Sequence, residues 1–234
     1  MTGYFGGASE YRNEDGIAVN EAALSLKNYF DTLIDKRTLK PGQDYVSLVL
    51  SHQDKFSFSK DDIISQLIMM LVAGMATTTD QINNSMLLIA HDFKLQKELR
   101  DNLDLIPRAL EELKRFDPAV TFIFRIARKE TMIGNQPVKK GEVIFISSHA
   151  INRDLDESLR PNEIDIFREQ NHFAYGFGPH YCIGAKLARE EMQTLFRAIF
   201  EKWPEFKLNE NKESIRDHYS LSFSGFKELH LKFN

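Results

Sequence analysis

The chain is 234 residues long, 42% hydrophobic and 27% charged, enough for one large domain or two small ones around a proper core. A net charge of −4 excludes the basic footprint of a general nucleic-acid binder, and a single cysteine excludes both an internal disulfide and a cage of several thiolates. Residues 63–75, the longest apolar stretch, are interrupted by Ser65, Gln66 and Gly74, and residues 1–10 lack the charged and apolar regions of a signal peptide, so a cytoplasmic protein without a membrane anchor is expected.

Residues 1–20, rich in Gly, Asn and acidic side chains, read as loop or as an unanchored end, leaving 21–234 for the folded part. Ala22, Leu26, Tyr29, Phe30, Leu33 and Ile34 recur at three- and four-residue steps, which predicts an amphipathic helix over 21–37, closed by Pro41 and Gly42. Residues 44–50 fit a short helix or an extended segment equally. Ser59 and Asp62, three apart, form a capping-box-like start. The helix they open carries Ile63, Ile64, Leu67, Ile68, Leu71 and Val72 and runs to about Ala90, long enough to cross the centre of a domain. Its midpoint combines Gly74 with three successive threonines, Thr77, Thr78 and Thr79, which is poor helix chemistry inside a strong helix. Such local conflict marks functional positions.

Two further helices are predicted over about 93–103 and 107–116, the second with Pro107 in its first turn. Over 121–147 the period changes: Phe122, Phe124 and Ile126 alternate, Gly134 and Asn135 mark a turn, and 142–147 is another β run. Residues 152–171 are polar and irregular. A helix follows Cys182 to about Lys202 with Leu187, Leu195 and Ile199 on its apolar side, and 221–233 alternate as a hairpin would. The predicted class is mainly α with a small β component.

The sharpest signal surrounds the lone cysteine. Gly176, Gly178, Pro179 and Gly184 flank Cys182 just ahead of a helix. Helix N-terminal amides stabilise a thiolate there, and glycines let a flat ligand come close. A buried free cysteine is the commonest fate of a single Cys, and a nucleophilic pair with His180 is a further reading. A Cys-x-x-Cys-His haem attachment is absent, and the seven histidines are too scattered for structural zinc.

This segment closely resembles the haem-binding loop of the cytochromes P450, a Phe-Gly-x-Gly-x-His-x-Cys-x-Gly-Ala pattern followed by Leu-Ala-Arg, here Leu187, Ala188 and Arg189. The resemblance implies a cytochrome P450 fold in which Cys182 ligates the iron of haem b as a thiolate. It also implies that Gly178 and Gly184 shape the loop, that His180 contacts a haem propionate, and that Tyr175, standing where the family usually has Phe, packs on the sulfur side. Glu112 and Arg115 match the family's structural Glu-x-x-Arg pair, and Arg125 matches its propionate-binding arginine. Taken alone, the pair is equally a solvated salt bridge, and Arg125 equally an exposed strand residue.

In the central helix Ala73, Gly74, Met75, Ala76 and Thr77 are similar to the family's Ala-Gly-x-acid-Thr. The match assigns Thr77 to oxygen handling and Gly74 to opening space beside the haem; a threonine that only bonds a backbone carbonyl is the alternative. Ala76 replaces the usual acid, and a methyl group relays no proton; Asp80, one turn on, is a conceivable substitute. Glu163 falls where the family often has an arginine that joins the Glu–Arg pair.

The resemblance covers the chain from about Glu21, with the N-terminal portion of a full family member absent and exposed apolar faces expected on the central helix unless something covers them. It implies a monooxygenase that takes electrons from a separate ferredoxin or flavodoxin and acts on a small organic substrate, with the missing portion supplied separately. Residues 121–124 and 220–223 would line the substrate side, with aromatics that are simply core as the alternative, and Lys186 and Arg189 would face an acidic donor or equally form a solvated helix face. A truncated, catalytically inactive haem-binding remnant or an interaction protein is the alternative.

Overall fold

The structure, a computed structural model, describes residues 13–154, 159–169, 171–217 and 221–233. It divides into two compact units, the division falling between Ala76 and Thr77.

The first unit contains α1 (Asn13–Leu39), α2 (Tyr45–Ser51), α3 (Gln53–Phe56) and the first half of α4 (Lys60–His91). α1 begins at Asn13 rather than Glu21; Gly16 costs a helix only about 1 kcal/mol, and Ile17, Ala18 and Val19 carry the helix into the apolar repeat. The remainder of the predicted N-terminal loop, residues 1–12, lies outside the described residues. The undecided segment is helical, because Asp44 caps α2 by accepting the Ser47 amide at 2.9 Å. Phe30, Ile34, Val46, Val49, Ile63 and Leu67 bury together as the unit's core. The capping box is reciprocal: the Ser59 amide donates to Asp62 Oδ2 at 2.9 Å and the Asp62 amide to Ser59 Oγ at 3.2 Å. α4 then runs unbroken through Gly74 and the threonines. Met69, Leu71 and Met75 are 56%, 42% and 66% exposed, in line with the exposed apolar side chains expected on this helix.

The second unit holds the rest of α4, α5 (Phe93–Asp101), α6 (Ile106–Phe116), β1 (Phe122–Ile126), β2 (Thr131–Ile133), β3 (Gln136–Val138), β4 (Val143–Ser147), α7 (Ser148–Ile151), α8 (Ala185–Lys202), β5 (Phe206–Leu208), β6 (Ile215–Asp217), β7 (Gly225–Glu228) and β8 (Leu231–Phe233). All strand pairs are antiparallel: β1 with β4, β2 with β3, β5 with β8, β6 with β7. The tail is therefore not a hairpin; β7 and β8 pair with different earlier strands. Alternation reports strandedness and says nothing of the partner.

Ile89, Leu99, Leu113, Met192, Phe196 and Phe206 anchor this core. The buried stripe of α8 is Ala185, Met192, Phe196 and Phe200; of the expected apolar side Ile199 packs against this core, whereas Leu187 and Leu195 are 61% and 38% exposed, so that side was partly rotated off the true one. By length and composition α4 passes as a bilayer-crossing helix. Its C-terminal half behaves as a core helix of a folded domain. Gln81 donates to the Asp117 carbonyl and accepts the Ala119 amide, and Asn84 donates to the Ser224 carbonyl at 2.9 Å.

Candidate functional site

Gly176 and Gly178 adopt φ of 74° and 71°, a left-handed conformation that favours glycine, and the chain makes a single 3-10 turn over Gly178–His180. The Cys182 amide then donates to the Tyr175 carbonyl at 2.9 Å, which closes the loop on itself. The Ala188 amide donates to the Gly184 carbonyl at 2.9 Å, and α8 begins. Cys182 is exposed, so the reading as a buried free cysteine falls. A side chain on Gly178 would meet no heavy atom within 4 Å, and one on Gly184 would sit 3.9 Å from Cys182 Sγ. Phe177 and Ile183, 78% and 84% exposed, flank the thiol. A soft donor, apolar side chains facing outward and open glycine backbone fit a flat, apolar, iron-bearing group such as haem.

The loop leans on β1, where a Cβ on Gly176 would reach Ile123 Cδ1 at 4.0 Å. Two residues on in the same strand, Arg125 is exposed and its guanidinium turns back to the Phe124 carbonyl at 2.9 Å; His180 is also exposed. The start of β1 is tied to the tail: the Thr121 amide donates to the Ser222 carbonyl at 2.9 Å and its hydroxyl to that of Leu221 at 2.6 Å. The expected substrate-side segments are thus brought together, apart from Ser220, which lies outside the described residues.

Behind the loop, α6 carries two ionic centres. Glu112 and Arg115 are almost wholly buried and pair bidentately at 2.8 Å, which rules out a solvated bridge. Arg168, not Glu163, supplies the third member, donating to Glu112 at 3.3 Å. Glu163 contributes only its carbonyl, to Arg115 at 3.0 Å, while its carboxylate pairs with Arg160. Periodicity cannot register an irregular loop, so Arg168 was not legible in the sequence.

The second centre was missed altogether. Glu111 receives Lys114, His172 Nε2 at 3.1 Å and a bidentate Arg189 at 2.9 to 3.1 Å. Burial would raise the Glu111 carboxyl, but the bonds from His172 and Arg189 and the charge of Lys114 hold it well below the usual carboxylate range. Burial pulls the Lys114 ammonium down against the opposing pull of Glu111. Burial first, then Glu111, pushes the Tyr175 phenol up. Arg189 is held by Glu111 and reaches Tyr181 at 3.4 Å, so it is not the free docking cation expected; Lys186 is exposed.

On α4, Thr77 is half-buried and Gly74 faces open space. Asp80 packs so closely on Gly225 of β7 that a Cβ there would fall inside its carboxyl. No spacing rule in the sequence joins those two residues.

A family model described as "Cytochrome P450" matches residues 100–227. The putative cytochrome P450 133B1 of Xylella fastidiosa is 33% identical over 194 residues, covering 82% of this chain and 48% of the relative. The biotin biosynthesis cytochrome P450 of Bacillus subtilis is 32% identical over 216 residues, covering 92% and 54%. Among solved structures, CYP109E1 from Bacillus megaterium in complex with testosterone superposes with a TM-score of 0.89 at 26% identity, covering 95% of this chain and 62% of that one. P450BioI in complex with a hexadecenoic-acid-ligated acyl carrier protein gives 0.85 at 28%, covering 97% and 58%. The chain spans about half the length of the curated relatives it matches.

Proposed function

This chain belongs to the cytochrome P450 family, and from that membership we propose that it is the haem-binding part of a monooxygenase acting on a small organic substrate. One oxygen atom of O₂ enters a substrate C–H bond and the other leaves as water, with two protons and two electrons consumed. Haem b, when bound through the Cys182 sulfur, supplies the oxygen activation, which a thiolate ligand favours by pushing electron density toward the iron.

The chain's own residues do the rest. Cys182 offers the sulfur from a loop shaped by Gly178 and Gly184. Arg125 and His180, both exposed, would hold the propionates, and Thr77 presents a hydroxyl that donates or accepts a proton. Thr121, Phe122 and Phe124, beside Leu221 and Ser222, orient the substrate and exclude water. A cytoplasmic setting and a ferredoxin or flavodoxin as electron donor complete the reading.

The observation that carries it is the exposed sulfur of the only cysteine, on a loop closed by its own amide and flanked by outward-facing apolar side chains. The test is the carbon monoxide difference spectrum of the reduced, haem-loaded protein. Thiolate ligation gives a strongly red-shifted Soret band, and Cys182→Ser abolishes it; a variant that keeps the band removes Cys182 as ligand.

A further inference from the structure

Tyr175 is held at three points. Its hydroxyl lies 3.1 Å from Lys114 Nζ, an ammonium 2% exposed, and its ring centroid lies 5.0 Å from that ammonium and 4.5 Å from the Arg189 guanidinium. Its carbonyl is the acceptor for the Cys182 amide. Lys114 and Arg189 are both anchored on Glu111.

We infer that Lys114 and Tyr175 are a positioning pair: the buried ammonium, through the phenol, fixes the residue whose carbonyl closes the cysteine loop. What the loop carries rests on the haem-thiolate reading, but the clamp does not. The phenol takes its hydrogen bond from this ammonium, which Glu111 also holds. Removing the ammonium deletes that bond from one side, removing the hydroxyl deletes it from the other, and removing both deletes it only once. The pair therefore has a signature that independent packing lacks: two damaging single substitutions whose losses do not add.

The experiment compares the full chain with Tyr175→Phe, Lys114→Met and the double variant. Hydrogen exchange at the Cys182 amide is read against the Ile89 amide of the core, so that global destabilisation cancels. Each single variant is expected to exchange roughly tenfold faster at Cys182, the factor that ~1.4 kcal/mol makes in an equilibrium constant, and the double variant no faster than Lys114→Met, because the shared bond is lost only once. In haem-loaded protein, the singles lose part of the red-shifted reduced-CO band and the double loses no more than Lys114→Met. Should Lys114→Met not fold, Tyr175→Phe alone still decides. Unchanged exchange in Tyr175→Phe, or a double variant whose loss is the sum of the singles, overturns the pair. A parent chain with no red-shifted band removes the haem-thiolate reading instead, and the exchange comparison still judges the clamp.

Discussion

Asp80 is half-buried on α4, and burial followed by the charge of Asp217 pushes its carboxyl above the ordinary range. With the folded value above the unfolded one, its favourable contribution is full below the ordinary carboxylate value and is lost as pH rises through the folded value. Asp80→Asn is therefore expected to raise Tm more at pH 7 than at pH 4. An equal gain at both contradicts the assignment. The neighbouring Gly225 tolerates no side chain while that carboxyl is present. Gly225→Ala should cost about 1–3 kcal/mol by urea unfolding, and part of the loss should return in an Asp80→Ala background. The sequence marked Asp80 only by its distance from Ala76. Its actual neighbour comes from the far end of the chain, a pairing that only the folded backbone makes.

On α6, the charged residues Glu111, Glu112, Lys114 and Arg115 divide into two ion-paired centres. Glu112 sits between Arg115 and Arg168 with the Asp165 amide at 2.9 Å. Glu112→Gln leaves two buried guanidinium groups without their counter-charge, and a loss of about 3–5 kcal/mol in unfolding free energy is expected. Glu111 behaves oppositely to Asp80. Its folded value is depressed, so its contribution is present above the ordinary carboxylate value and lost as pH falls through the folded one. Melts from pH 7 to pH 3 should fall less steeply for Glu111→Gln than for the parent. Helices of this kind were legible in the sequence because a 3.6-residue apolar period and a capping pair such as Ser59 and Asp62 act locally. The partners of β7 and β8, the rotation of the α8 stripe and the role of Arg168 were not legible, since each depends on which distant surface an element meets.

At the scale of the whole molecule, the cysteine loop was readable because glycine positions and one thiol impose a nearly unique string. The cluster behind it uses common residues at unremarkable spacings. On the β1–β4 sheet Phe124, Ile126, Val143 and Phe145 share one face and are 58%, 60%, 52% and 55% exposed. Apolar surface of that extent is covered by further polypeptide or leads to association. We expect the isolated 234-residue chain to retain haem poorly after gel filtration, read as Soret absorbance per protein; stoichiometric retention would overturn this. The accessible sulfur has a consequence for handling the empty chain. In air, two molecules can join through it, and because each has no second thiol, the product stops at a covalent dimer that a reductant returns to monomers on a gel.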